Sequence, residues 1–449
     1  MDLSGRKVLI IGLGKTGLAT LRFLAGRGAL CFTTDEKPVP EVERLLNAQD
    51  LRTKTEIVAY DAASLAKIDL VVPSPGVPPF NPLLQGAVRR GVPVISELEL
   101  AYRFLSCPII AVTGTNGKTT TTTLTGNILK KAGKKVFVGG NIGDPLIGFA
   151  AGAQDADYAV VEVSSFQLQW IELFRPYVAM LLNTTCDHVN YHGSFEAYRQ
   201  VKERIFAHQT SAQRAILNGA EPSSRLLAPQ LAARVAYFSS TADVDRGMYV
   251  AAEGLVHIND TGHREIYPLD MVKILGRHNL ENVMAAVLAA RECGVSREDI
   301  ITAVAGFKGL AHRIEFAGEK KGVAFYDDSK GTNVDAVVRA LDSFSQPVFL
   351  LMGGRDKDGD FETLIPLLKK KVRQLFLFGE ARERIGQVLG GIVETSEFDT
   401  LRAAVVTAYG AAAAGDIVLL SPGCASFDEF SDYKARGVFF KQVVGSLDE

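Results

Sequence analysis

Thr113, Gly114, Thr115, Asn116, Gly117, Lys118, Thr119 and Thr120 follow an apolar run at 108–112 and lead into a helical stretch at 120–131. A short buried strand that enters a glycine turn and continues through Lys-Thr into a helix has the layout of a phosphate-binding loop. Gly114 and Gly117 let successive backbone N–H groups turn toward an anion, Lys118 brings a point charge to β- and γ-phosphates, and Thr119 offers a hydroxyl to Mg²⁺. Val112 stands where the general form of this loop has its first glycine. Gly-Lys-Thr by itself also fits an ordinary turn, and the strand before and helix after it favour a nucleotide site.

Toward the N-terminus, 7–11 reads as a strand, and Gly12, Gly14 and Gly17 give the G-x-G-x-x-G spacing ahead of a helix at 18–25. A second strand at 29–34 ends in Asp35, about twenty residues after the glycines, where a dinucleotide fold places its ribose acid. Taken alone this is a fingerprint for NAD. Its physics requires only that a diphosphate approach a helix N-terminus, and tight strand–helix packing without a ligand yields the same glycines. A strand at 69–72 runs into Pro73, Ser74, Pro75 and Gly76, a stiff turn at a carboxyl end, where open α/β sheets take ligands. Residues 93–95 read as a further strand, and 97–104 begin the link to a second domain.

Downstream of the loop, a glycine cluster at 139–143 contains Asn141, and a strand at 158–161 delivers Glu162 at its tip. That acid suits a Mg²⁺ ligand or a loop cap. A strand at 178–182 leads to His188 and His192, two of the seven histidines, which at a strand end read as metal or phosphate contacts or as surface residues. In the helix at 195–208, Phe195, Tyr198, Ile205 and Phe206 mark an apolar stripe on which Lys202 also lies. A lysine there either snorkels to the rim or serves a buried purpose. Residues 221–270 read as strand-rich, exposed and without a chemical signature. A helix at 283–290 and a linker at 306–313 follow, and then strand and helix alternate to the end, as a parallel sheet with crossover helices requires. Polar insertions at 327–333, 353–357 and 421–430 fall at strand tips on one edge of that sheet.

A chain of 449 residues favours about three domains. Their expected bounds are 1–97, 98–308 and 309–449. The formal net charge is −2, which leaves no basic footprint for nucleic acid or an anionic membrane. No apolar run approaches the ~18 residues of a membrane span, and a chain that goes from Asp2 into a strand by Lys7 reads as cytoplasmic. The five cysteines are scattered and never spaced as a metal clip or redox pair, so they read as reduced.

The order of these signals resembles the Mur ligase family over the whole chain, and within it the branch that adds D-glutamate. The resemblance implies an α/β protein of three domains: a Rossmann-like N-terminal domain for the UDP-linked substrate, a central P-loop ATPase-like domain, and a C-terminal Rossmann-like domain for the amino acid. It implies ATP-dependent ligation of D-glutamate to UDP-N-acetylmuramoyl-L-alanine through an acyl phosphate, in peptidoglycan precursor synthesis, by a monomer. It reassigns the glycine fingerprint from NAD to UDP, with Leu13, Lys15, Thr16, Asp35, Ser74, Gly76, Asn141 and His188 as contacts. Gly114, Thr115, Asn116, Gly117, Lys118, Thr119 and Thr120 with Asn279, Arg313 and Asp328 would hold ATP. Thr119 with Glu162, and His188 with Lys202, would bind two Mg²⁺ ions, Lys202 as its carbamate; Lys118, Glu162, His188 and Lys202 form the catalytic set. Lys330, Thr332, Lys357, Ser426, Phe427 and Tyr433 would meet D-glutamate. ATP and glutamate contacts split between domains imply that the third domain closes before chemistry. A folylpolyglutamate-type ligase, an NAD-dependent dehydrogenase and a non-enzymatic nucleotide switch are the alternatives.

Overall fold

The computed structural model describes residues 1–356 and 358–448. They form two compact units: Met1–Met271 with Glu281–Val304, and Val272–Leu280 with the chain from Ala305 onward.

The first unit carries two sheets. One has four parallel strands in the order Thr55–Ile57, Leu30–Thr34, Lys7–Ile11, Leu70–Pro73. Helix Lys15–Gly26 covers it with Leu21, Phe23 and Leu24, all buried. The strand expected at 93–95 is reduced to one bridge between Val94 and Val71. Pro93 has no N–H to extend a ladder, and Ser96 already caps the next helix, Glu97–Tyr102, by accepting from the Glu99 amide.

The other sheet has nine strands in the order Arg264–Tyr267, Gly254–Ile258, Gly247–Ala251, Arg234–Ser239, Arg214–Asn218, Val178–Leu181, Ile109–Thr113, Tyr158–Glu162, Val136–Gly140. Ile109–Thr113 lies at its heart, parallel to both neighbours, and is buried throughout. Helices on both faces make such central strands read as unbroken apolar runs. The section at 221–270 is strand-rich, as its sequence suggests, and mixes buried strand residues with exposed ones such as Leu226 and Ile266. Its strands continue this sheet, the last two antiparallel, and Met248, Leu255, Val256 and Tyr267 are buried. The charges that read as exposure are paired with one another: Asp260 meets Arg214 at 2.6 Å, Arg234 at 2.8 Å and Arg246 at 3.3 Å.

The second unit holds a six-stranded sheet in the order Glu315–Lys320, Val323–Asp327, Ile417–Gly423, Val348–Gly353, Val372–Phe378, Glu394–Phe398. It is parallel except for Glu315–Lys320, an antiparallel edge strand that forms directly after the expected linker. Because Val323–Asp327, Ile417–Gly423 and Val348–Gly353 run the same way, their polar tips share one edge. Apolar clusters fill both faces of the sheet.

Candidate functional site

Strand Ile109–Thr113 releases the chain into a loop whose shape depends on its glycines. Gly114 (φ +153°) and Gly117 (φ +85°) occupy backbone conformations that side chains disfavour. A Cβ on Gly117 would collide with Asn282 Oδ1. The loop is fastened from the neighbouring strand end: the amides of Thr115 and Asn116 donate to the Asn183 carbonyl and to Asn183 Oδ1 at 3.0 and 2.9 Å. Thr115 Oγ1 lies 3.1 Å from the Tyr198 hydroxyl. Lys118 opens helix Lys118–Lys131, and its Nζ donates to the carbonyls of Gly114 and Thr115, both at 2.9 Å. Thr119 and Thr120 follow within the first turn.

Lys202 Nζ donates to the same Gly114 carbonyl at 2.8 Å. The side chain does not snorkel: it is 1 % exposed, with Nζ 4.6 Å above the Tyr198 ring. Helix Phe195–Glu203 turns that face inward on Tyr198, whereas Phe195, also placed on the stripe, is exposed. Burial first, and then the charge of Lys118, hold the Lys202 amine well below the ordinary lysine range.

Glu162 ends the strand that pairs with Ile109–Thr113 and lies opposite Val112. Its Oε1 accepts from Asn141 Nδ2 at 2.8 Å, while Oε2 is buried with no hydrogen-bond partner. An unpartnered carboxylate oxygen beside a loop that carries the Thr119 hydroxyl is a donor set for a hard divalent cation. His188 sits in the left-handed region (φ +52°). Its ring lies 6.3 Å from that of Tyr198, so the imidazole and the Lys202 amine border one tyrosine. The His192 ring lies closer still to Tyr198, at 5.3 Å; its Nε2 is 3.0 Å from Ser165 Oγ, and burial first, then the charges of His188 and Lys202, lower the ring to about 4.

Between the four-stranded sheet and the glycine cluster, and wholly inside the first unit, opens a cleft of about 480 Å³. Lys15, Thr16, Asp35, Ser74, Gly76 and Asn141 line it. Leu13 and His188 are not among the lining residues; the Leu13 amide donates to Asp35 Oδ2 at 2.6 Å. Ser74 Oγ donates to the Gly12 carbonyl at 2.7 Å, and any Cβ on Gly17 would strike that carbonyl. Lys15 Nζ reaches Gly143 O at 2.6 Å and Asp144 Oδ1 at 3.0 Å. Glu36, Tyr60 and Gln167 also line the cleft and escaped the sequence reading. Of these, Glu36, which directly follows Asp35, and Gln167, shortly after the tip that bears Glu162, carried a positional signal.

In the second unit, Asn279 Nδ2 donates to Leu275 O at 2.7 Å. Arg313 lies between His312 and Ile314, both left-handed (φ +63° and +49°). Asp328 accepts from Ser421 Oγ at 2.8 Å, and burial pushes its carboxyl up to about 7. Lys330 Nζ stands 3.9 Å above the Tyr433 ring. The Thr332 amide donates to Lys330 O at 2.8 Å, Ser426 is buried and Phe427 exposed. Lys357 lies outside the described residues. Arg436, unnoticed in an apolar helix, ties two of the strand tips together: it is wholly buried and donates to Ser329 Oγ at 2.9 Å, Ser329 O at 2.8 Å and Cys424 O at 3.1 Å.

Three family models match in succession: the Mur ligase MurD-like N-terminal domain at residues 6–96, the Mur ligase middle domain at 112–290, and the Mur ligase glutamate ligase domain at 312–424. A UDP-N-acetylmuramoylalanine--D-glutamate ligase of Syntrophus aciditrophicus is 58% identical over 99% of this chain and 98% of its own. Its namesake in Geotalea uraniireducens is 44% identical over 100% and 99%. Among solved structures, the MurF ligase of Thermotoga maritima in complex with ADP shares the fold at TM-score 0.61 and 18% identity, over 99% of this chain and 96% of that one. A pseudomurein peptide ligase type C from Methanothermus fervidus does so at TM-score 0.61 and 16% identity, over 99% and 100%. With identity of this level sustained from one end to the other, the chain belongs to the Mur ligase family.

Proposed function

We propose that the protein is an ATP-dependent ligase that joins D-glutamate to UDP-N-acetylmuramoyl-L-alanine in peptidoglycan precursor synthesis, and so serves cell-wall growth, cell shape and division from the cytoplasm, as a monomer. The observation that carries the reading is Asn141: it lines the cleft and at the same time holds Glu162 beside the phosphate loop. Substrate and nucleotide chemistry therefore meet at one side chain. The domain bounds that go with this reading are 1–97, 98–308 and 309–449.

The cleft residues Lys15, Thr16, Asp35, Ser74 and Gly76 hold uridine and diphosphate, leaving the alanyl carboxylate toward Asn141 and His188. The loop at 114–120, with Asn279, Arg313 and Asp328, holds ATP. Transfer of the terminal phosphoryl group to the alanyl carboxylate gives ADP and an acyl phosphate. Lys118 neutralises part of the charge that would otherwise keep two anions apart. Thr119 with Glu162, and His188 with Lys202, would hold two Mg²⁺ ions, which would supply the remaining charge neutralisation at the phosphates. Lys202, whose amine burial holds well below the ordinary lysine range, would add CO₂ at Nζ with release of a proton and so become a metal-binding carbamate. The amine of D-glutamate, whose carboxylates meet Lys330, Thr332, Lys357, Ser426, Phe427 and Tyr433, attacks the acyl carbon. The tetrahedral adduct expels phosphate and leaves the amide.

The test is phosphate release from ATP, Mg²⁺ and UDP-N-acetylmuramoyl-L-alanine, with and without D-glutamate. Turnover is expected only when all are present. Release indifferent to the amino acid, or acceptance of a folate in place of the UDP-substrate, would overturn the assignment.

A further inference from the structure

Within its own segment His188 donates its amide to Asp187 Oδ1 at 2.9 Å and accepts at its carbonyl from the amides of Tyr191 and His192 at 3.0 and 3.1 Å. It caps a helix of one turn, Val189–His192, which ends at Gly193 with φ +83°, and a single turn is too short to be stable by itself. The left-handed backbone at His188 costs energy that its surroundings must offset. Two side chains of the turn reach outward to do so: His192, whose Nε2 lies 3.0 Å from Ser165 Oγ, and Tyr191, which ties the turn to the rim of the cleft. The Tyr191 hydroxyl donates to the Val77 carbonyl at 2.9 Å, and its ring packs on Phe166 with centroids 4.2 Å apart. Val77 lines the cleft. It belongs to the turn whose Ser74 binds Gly12, and the Val77 amide donates to Ser74 O at 3.0 Å. One line of contacts thus runs from the glycine loop through Ser74 and Val77 to Tyr191 and the backbone of His188.

We propose that Tyr191 is a positioning residue that fixes the His188 loop according to whether the cleft is filled. Tyr191 is not among the residues that line the cleft, so it acts through its hydrogen bond to the rim. The inference rests on the reading of the cleft as a UDP site.

Tyr191→Phe keeps the ring and its packing and removes only the donor. UDP is titrated into protein labelled at histidine Cε1, with the His188 signal assigned by its loss in His188→Gln. In the parent, UDP shifts that signal; in Tyr191→Phe, UDP binds within about twofold of the parent affinity but leaves the signal in place. Turnover of the variant falls about tenfold, the worth of one well-made hydrogen bond, and the Mg²⁺ concentration for half activity rises. A variant whose His188 signal and turnover both match the parent overturns the inference. So does one whose UDP affinity falls in step with turnover, because Tyr191 would then only shape the rim. A parent that ignores UDP sinks the cleft reading and this inference with it, and is recognised before any variant is made.

Discussion

Glu162 divides its carboxylate between two fates, with one oxygen on Asn141 at 2.8 Å and the other buried without a donor. An unmade hydrogen bond at a buried polar atom costs about 1–3 kcal/mol, more for a charged group. A bound divalent cation reverses that sign. Glu162→Gln keeps the length of the side chain and its oxygen for Asn141, and replaces the orphan oxygen with a neutral amide. Without metal the variant should melt no lower than the parent. With Mg²⁺ and nucleotide the parent should gain stability that the variant does not, and turnover should fall about 100-fold or more. Metal-dependent turnover at the parental level would remove Glu162 from the site. Lys202 shows what a single residue can disclose in advance. Its place on an apolar stripe was legible, but inward and outward lysines look alike until the Gly114 carbonyl, 88 positions away, is known to receive its amine.

Glu97 opens helix Glu97–Tyr102 and also serves the start of another helix, its Oε1 accepting from the Ile147 amide of Leu146–Ala151 at 2.7 Å. It is 1 % exposed, its second oxygen has no partner, and burial pushes the carboxyl from 4.5 to about 7. The folded state therefore holds a proton that the unfolded chain releases. Below pH 4.5 the burial carries no ionic penalty; between 4.5 and about 7 stability falls as pH rises; above that the loss is constant, on the order of 3 kcal/mol. Glu97→Gln keeps the acceptor for Ile147 and abolishes the titration. It should be more stable than the parent at pH 8, with the advantage fading as pH falls toward 4.5. Paired melts across that range check it, and a difference that does not change with pH refutes it. An acid in the first turn of a helix reads from sequence as an ordinary exposed terminus, since its partner is 50 residues distant. The same limit governed the elements. Ile109–Thr113, Tyr158–Glu162 and Val178–Leu181 were legible because strands covered on both faces are continuous apolar runs. Within 221–270 the strands were legible, but which of their residues are buried was not, because arginines and acids that pair across them look in sequence like solvated charge.

Each unit has its own apolar clusters, and the cleft draws its lining from the first unit alone, while Lys330, Thr332 and Tyr433 belong to the second. Along the sequence, the two glycine-marked nucleotide patterns fall within the first unit and the run of polar strand tips within the second. UDP should then act on one unit only. A ligand at 100 times its dissociation constant adds about 2.7 kcal/mol to the state that binds it, which at about 2.1 cal/mol/K of unfolding entropy per residue moves the melting transition of a body of roughly 300 residues by about 4 °C. Differential scanning calorimetry of the full chain should resolve two transitions, with UDP raising the one that belongs to the first unit and leaving the other in place. The Gly17→Ala protein, whose added methyl would force helix Lys15–Gly26 away from the Gly12 carbonyl, serves as the control in which UDP moves neither. Two transitions that rise together would mean that the units unfold as one body. An unmoved first transition in the parent would remove the uridine nucleotide from the cleft, and the assignment of Lys15, Asp35 and Ser74 would go with it.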